Sequence, residues 1–331
     1  MSSSHLAPVP PGPCLVLDPD EIKVPDDQDR QCPGISLLDS KGDRLTCDLL
    51  PLGGTAMSFA HTWKQGWMLY SSSDLNNPCT FLHNPRTLNR IELPHFPHPL
   101  PRVFQCALSD KPTSTAGCVV VILNLDPPDD EPCFWYCRVG VMQEWIKHDY
   151  DVGSQQYDIE GLVWKKRVIT HLTSCKGKFY FDFVAVGYGV IEFNPSPVTQ
   201  IIKMQGVPRR FGSAETCSFE LDEEPYKLFV FHDYYEDGAL NISGITLYKI
   251  DLVGQRFVKV DKIGDRALLW SGYGGGCCPA TRFALEPNCV YWTGPNAMHI
   301  FNIAENTHRV YHPPSNDLPK LSSKAFWLLP V

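Results

Sequence analysis

TFLHNPRTLNRIEL, residues 80–93, reads as an apolar strand, a turn opened by Asn84 and a second strand that alternates polar and apolar residues. The same pattern occurs six times along the chain. The other copies are ISLLDSKGDRLTCDL (35–49), FWYCRVGVMQEWIKH (134–148), VIEFNPSPVTQIIKM (190–204), TLYKIDLVGQRFVKV (246–260) and HIFNIAENTHRVYH (299–312). Their turns open on Asp39, Arg138, Asn194, Asp251 and Asn302, so successive units lie 45, 54, 56, 57 and 51 residues apart. Recurrence at such a period is the signature of a repeat architecture, in which each unit is one supersecondary element stacked on the next.

A second series lies upstream of the first: CLVLDP from Cys14, GWMLYSSS from Gly66, GCVVVILN from Gly117, GKFYFDFV from Gly177, YKLFVFHD from Tyr226 and NCVYWTG from Asn288. These runs are apolar on both faces, as a strand sandwiched between neighbours must be, whereas later strands alternate, as Val258 and Val260 do with Lys259 and Asp261. Before every segment but the first stands another short strand: MSFAHT, VFQCALS, VITHLTS, TCSFEL and TRFALE. Each unit therefore has four strands, and the first lacks one. AFWLLPV, residues 325–331, is the apolar segment left over and fits the empty place. Closure of this kind removes sheet edges that would otherwise template aggregation.

The sequence thus predicts an all-β chain: a single closed β-propeller of six four-stranded blades over residues 14–331, its C-terminal strand completing the first blade, behind a proline-rich tail of residues 1–13. Seven blades and a pair of β-sandwiches are the alternatives. The spacings exceed the roughly 40 to 50 residues of regular blades, so extended loops are expected at 126–132, 233–243 and 271–278.

Composition narrows function. The net charge is −8, and no basic cluster is interleaved with aromatics, so neither a nucleic-acid nor an anionic-membrane surface is expected. The apolar run 119–123 is too short to span a bilayer. The 13 cysteines are scattered through strand-like segments, which points to reduced core thiols and to the cytoplasm or nucleus, an organelle being left open. No HExxH, zinc-like cysteine spacing, nucleophile elbow, phosphate loop or dinucleotide fingerprint occurs, so no catalytic residue, cofactor or metal ligand is assigned. SGYGGGCC, residues 271–278, has no GKS/T and no helix after it and reads as a flexible blade loop. The tryptophans Trp67, Trp135, Trp145, Trp164, Trp270, Trp292 and Trp327 lie chiefly inside or at the ends of strands and read as core. Tyr234, Tyr235 and Tyr273, on loops, are the candidate protein-contact residues, because interface hot spots favour aromatics on rigidly held loops. The expectation is a non-enzymatic binding platform. A propeller enzyme or small-ligand binder using the central channel is the alternative.

GWMLYSSSDLNNPCTFLHNPRTLNRIELP, KGKFYF, KIGDRALLWSG and PNCVYWTG, in this order, resemble the plant F-box-associated KIB-type β-propeller family, once called Domain of Unknown Function 295. The resemblance spans nearly the whole chain. It implies protein recognition: many relatives carry an F-box that docks on a Skp-type adaptor, so that the propeller presents a substrate to a cullin ubiquitin ligase, and some bind signalling kinases of the glycogen-synthase-kinase type. The residues before Cys14 are too few to build an F-box, so a Skp-type adaptor is not expected as a partner of this chain, and the partner protein is left unidentified. Gly264, Asp265 and Arg266 mark the family. Flanked by Ile263 and by Ala267, Leu268 and Leu269, they are expected to stitch blades together through a partly buried ion pair rather than to contact a ligand.

Overall fold

The second strand of each unit is apolar on both faces because both faces are covered. Within the strand Val119–Asn124, Val119, Val121 and Leu123 share a core with Phe179, Phe181 and Ile191, whereas Val120 and Ile122 share another with Leu69, Leu82 and Phe96. Alternation along one strand thus feeds two interfaces, one on each side of its sheet.

The computed structural model describes residues 12–16, 35–38, 44–47, 57–62, 64, 66–72, 78–101, 103–112, 117–126, 132–152, 155–159, 162–166, 169–183, 187–206, 213–234, 240–271, 274–294, 297–311 and 326–330. Sheet I joins β1 (Cys14–Val16), β2 (Ile35–Leu38) and β3 (Arg44–Cys47) to the last strand, β27 (Phe326–Leu328). Sheet II holds β4 (Met57–His61), β5 (Met68–Ser72), β6 (Thr80–Asn84) and β7 (Asn89–Leu93). Sheet III holds β8 (Phe104–Leu108), β9 (Val119–Asn124), β10 (Cys133–Arg138) and β11 (Ile146–Asp149). A two-stranded hairpin follows, β12 (Gln155–Ile159) with β13 (Leu162–Lys166). Sheet IV holds β14 (Thr173–Cys175), β15 (Lys178–Phe183), β16 (Gly187–Phe193) and β17 (Pro197–Lys203). Sheet V holds β18 (Ser213–Leu221), β19 (Glu224–Tyr234), β20 (Leu240–Asp251) and β21 (Arg256–Val260). Sheet VI has β22 (Arg266–Ser271), β23 (Gly274–Pro279), β24 (Cys289–Gly294), β25 (Ala297–Asn302) and β26 (Thr307–Tyr311), in the order β23-β22-β24-β25-β26. The architecture is an all-β propeller.

The six strand-turn-strand units are the outer hairpins of the sheets. Asn84, Asp251 and Asn302 act through short side-chain acceptors. Asn84 Oδ1 accepts the N–H groups of Arg86 and Thr87 at 3.1 and 3.3 Å, and Asn302 Oδ1 those of Ala304 and Glu305 at 3.0 and 3.1 Å.

Hydrogen bonds link each sheet to the next. Trp145 Nε1 donates to Pro94 O (2.8 Å, sheets III and II), Gln105 exchanges two bonds with the Leu172 backbone (2.9 and 2.7 Å, III and IV), and Thr173 Oγ1 donates to Ser218 O (2.7 Å, IV and V). β27 runs antiparallel to β1, pairing Cys14 with Leu328 and Val16 with Phe326. Across the seam, Trp327 Nε1 donates to Trp270 O of sheet VI (3.2 Å) and Arg86 of sheet II donates to Leu328 O (2.9 Å). The last strand therefore fills the vacant place in the first sheet.

Several expectations are corrected. Five sheets have four strands, but sheet VI has five, so six equal blades is not the arrangement. TRFALE is not a leading strand, for Thr281–Phe283 is one turn of 3-10 helix; β22 and β23 stand inside β24 instead, and β22 runs parallel to it. SGYGGGCC is not a flexible loop, since Gly274–Pro279 is a strand packed at the centre of the ring. A Cβ on Gly275 would lie 2.8 Å from Cys217 Sγ and 3.2 Å from Leu269 O, so the consecutive glycines answer to close packing. The added length between sheets III and IV is the β12–β13 hairpin, which pairs with no other described strand and is not a seventh blade. The expected loop at 233–243 is strand through Tyr234 and again from Leu240. None of the eleven cysteines whose side chains are described forms a disulfide, and no described helix is long and apolar enough to cross a membrane.

Candidate functional site

The first strands of the sheets finish around a cavity of about 480 Å³ at one end of the ring. Thr62 follows β4, Ala107 belongs to β8, Ser174 to β14, Ser218 and Glu220 to β18, the residues of β23 close one wall, and Leu329 follows β27. Sheets II, III and V deliver Lys64, Asp110, Lys111, Asp222 and Glu223 through the turn into their second strand. Those turns need a residue with positive φ, which is why the second series begins so often on glycine; at Gly66 (φ 77°) a Cβ would also stand 3.1 Å from Leu329 O.

Lys64 spans the cavity. It stands in the β4–β5 connection of sheet II, yet its Nζ pairs with Glu220 of sheet V and donates to Ser174 O of sheet IV at 3.3 Å. Its side chain is 12% exposed, so the pair is shielded enough to hold three sheets in register. Two thiols line the same region as donors: Cys277 Sγ to Glu220 O (3.3 Å) and Cys175 Sγ to Glu223 O (3.1 Å). Burial pushes Cys277 up to about 12 and Cys175 up to about 11, which keeps both protonated and poorly nucleophilic. Around the mouth Asp110, Lys111, Glu223 and Arg282 are exposed, and the Arg282 guanidinium sits 5.1 Å from the centre of the Phe283 ring. The rim is thus of mixed sign. Among the described residues no group of three His, Cys, Asp or Glu stands together as a metal site.

The family-marking tripeptide lies beside this mouth. Gly264 takes a positive φ of 66°. Asp265 accepts two bonds from Thr281, from Oγ1 at 2.6 Å and from the backbone N–H at 2.9 Å, and these hold its carboxyl below the usual carboxylate range. Arg266 reaches from sheet VI to Asp222 of sheet V at 2.7 Å. The two side chains serve different partners, and the Arg266–Asp222 pair is at the surface, 31% and 69% exposed. Tyr235 and Tyr273 lie outside the described residues. Tyr234 closes β19, the strand that starts at the mouth beside Glu223 and runs away from it, so position 234 lies at the end of sheet V away from the cavity.

Sequence reasoning missed Lys64, Asp110, Lys111, Glu220 and Arg282, because only the folded ring brings the turns together. It also missed a buried pair behind the wall: Lys227 Nζ lies 2.7 Å from Asp182 Oδ1 between sheets V and IV, and Thr216 Oγ1 donates to Asp182 Oδ2 at 3.1 Å. A signal existed, for Lys227 and Asp182 are charges set inside the apolar runs YKLFVF and KFYFDFV.

Residues 45–312 match the KIB1-4 beta-propeller family. The chain belongs to this family. No curated protein matches the chain. Among solved structures, TolB from Acinetobacter baumannii aligns at 12% identity over 96% of this chain and 66% of that one, with a TM-score of 0.41. An uncharacterized protein from Listeria monocytogenes EGD-e aligns at 8% identity over 85% of this chain and 75% of that one, with a TM-score of 0.33. Likeness at that level carries no argument about function. Membership of the KIB1-4 family accords with the resemblance read from GWMLYSSS, KGKFYF, KIGDRALLWSG and PNCVYWTG.

Proposed function

We propose that this KIB1-4 propeller is a protein-binding module without chemistry of its own, a substrate-recognition or adaptor unit related to the F-box proteins of ubiquitin ligases. In this reading the five-stranded sheet VI counts as a sixth blade. The observation that supports the reading is how the charges at the mouth are committed. Glu220 is tied to Lys64, Asp222 to Arg266, and the thiols are protonated donors to backbone carbonyls. A general acid or base must be open to a substrate proton. Groups locked to one another fix shape and polarity instead. The exposed remainder, Asp110, Lys111, Glu223 and Arg282, forms a mixed-sign rim suited to charge-complementary contact with another protein.

The test is quantitative affinity purification from plant extract with the wild-type chain and with Lys111→Glu/Arg282→Glu, counting Skp-type adaptor, cullin and kinase peptides among everything retained. The expected result is a set of proteins held by the wild type and reduced at least tenfold by the variant, with the melting temperature unchanged. Failure of any protein to be retained specifically overturns the reading. A second reading has one observation in its favour: about 480 Å³ is the size of a small-ligand site. A metabolite that raises the melting temperature of the wild type, but not of Lys64→Met, would favour it.

A further inference from the structure

Sheet V is built on a different scale from its neighbours. Its second and third strands have 11 and 12 residues, whereas those of the neighbouring sheet IV have 6 and 7. At about 3.3 Å per residue, the excess makes the hairpin about 17 Å longer than those strands, at the end of the ring away from the cavity, with β18 following it as far as Ser213 opposite His232. The fourth strand does not follow. β21 pairs only with Leu247–Asp251, so one edge of Leu240–Thr246 meets no described strand, while its other edge is paired with β19. Buried Ile245 and half-buried Ile242 fix this segment to the core between sheets V and VI.

The residues along this edge set it apart from every other outer strand. β3, β7, β11, β17, β21 and β26 each carry lysine or arginine: Arg44, Arg90, Lys147, Lys203, Arg256 and Arg309 among them. Such charges block edge-to-edge pairing. The projecting edge, LNISGIT, has no charge and no proline, and three of its seven residues are β-branched. A register shift between Phe231 and His232 leaves Ser243 as an exposed bulge, the only irregularity in the β19–β20 pairing. The hairpin is also acidic. No lysine or arginine lies between Lys227 and Lys249, while Asp233, Glu236 and Asp237 do, and Glu215 is exposed on β18 alongside.

We propose that the edge Leu240–Thr246 takes up an extended, basic segment of a partner protein as an added β-strand, continuing the line of β21. Main-chain hydrogen bonds supply the attachment and the acidic hairpin selects the partner's charge. A second copy of this chain is a poor occupant, because it brings the same acidic hairpin and the same net charge of −8. This inference rests on the protein-binding reading and assigns it a surface distinct from the cavity mouth.

The probe is a phage-displayed library of random twelve-residue peptides panned on the full chain. Enriched sequences are expected to carry lysine or arginine beside alternating β-branched or aromatic residues. A synthetic copy should slow amide hydrogen exchange at 240–246. Its affinity should fall at least tenfold on Asn241→Lys/Ser243→Lys, which restores the guard found on the other edges, with the melting temperature unchanged, and at least tenfold when alternate peptide nitrogens are methylated. Protection at the cavity mouth instead, by a peptide indifferent to the lysine variant, overturns the edge while leaving protein binding intact. No enrichment overturns the edge as a peptide site, with the affinity purification deciding the wider reading separately. A dimer in sedimentation that the lysine variant dissolves shows a second copy in place of a partner and likewise overturns it.

Discussion

A lysine inside an apolar strand must find a counter-charge or distort the strand, and Lys227 finds Asp182. The pair is 8% and 17% exposed, so removing one partner strands the other in a poorly solvated place. Loss of one member of a buried pair costs about 3–5 kcal/mol, whereas replacing both with apolar groups is often neutral or better. Lys227→Met is therefore expected to destabilise strongly in urea unfolding, and Lys227→Met/Asp182→Leu to recover much of the loss; additive losses would show that the two groups are not coupled. His61 makes the complementary case, a titratable side chain held neutral. Burial pushes it down from 6.5 to about 3. Below pH 6.5 the unfolded chain takes up a proton that the folded chain refuses, so this contribution is present above 6.5 and is lost as pH falls toward 3. His61→Gln should flatten the fall in unfolding free energy between pH 6.5 and 5 by up to about 1.4 kcal/mol per pH unit. Parallel pH profiles for the two proteins would exclude His61 as the group.

At the scale of elements, strands whose composition is set by a local rule were legible and those set by the assembled ring were not. Asn84, Asp251 and Asn302 open turns by accepting backbone hydrogen bonds within three residues, so the outer hairpins show in the sequence. The second strands show because both their faces are apolar. β23 shows neither mark. Its GGGCCP is glycine-rich because it is wedged between β18 and β22 at the centre, a constraint imposed by residues some 60 positions away, and glycine read locally means a loop. The mouth was hidden for the same reason, since Lys64 and Glu220 are brought together only by the closed ring. If the glycines of β23 answer to packing, a single methyl must be felt. Gly275→Ala would press on Cys217 Sγ and on the Leu269 carbonyl, and overpacking of this kind costs about 1–3 kcal/mol. Unchanged unfolding free energy in denaturant would mean that β23 lies more loosely than its contacts indicate.

At the scale of the whole molecule, stability depends on a seam. β27 and the residue after it bury Trp327, Leu328 and Leu329 at 3%, 2% and 6% exposure, and β27 supplies the only described partner for one edge of β1 and presents Leu328 O to Arg86 of the second sheet. Each of three such side chains contributes about 1.5–3 kcal/mol by burial, while a whole domain is stable by only about 5–15 kcal/mol. Removing residues 325–331 is thus an effect of the same size as the total. It would also expose the edge of β1 and leave the Trp270 carbonyl without its indole donor, so the loss is not confined to one sheet. The truncated chain should melt far below the intact one and bind a hydrophobic dye at temperatures where the intact ring does not. Because the strand is held without a covalent tie to its neighbours, the peptide AFWLLPV added in trans should raise the melting temperature of the truncated chain in proportion to the logarithm of its concentration. A truncated chain that melts like the full-length one would show that the ring is held by its other sheet-to-sheet contacts and that the last strand is ornamental.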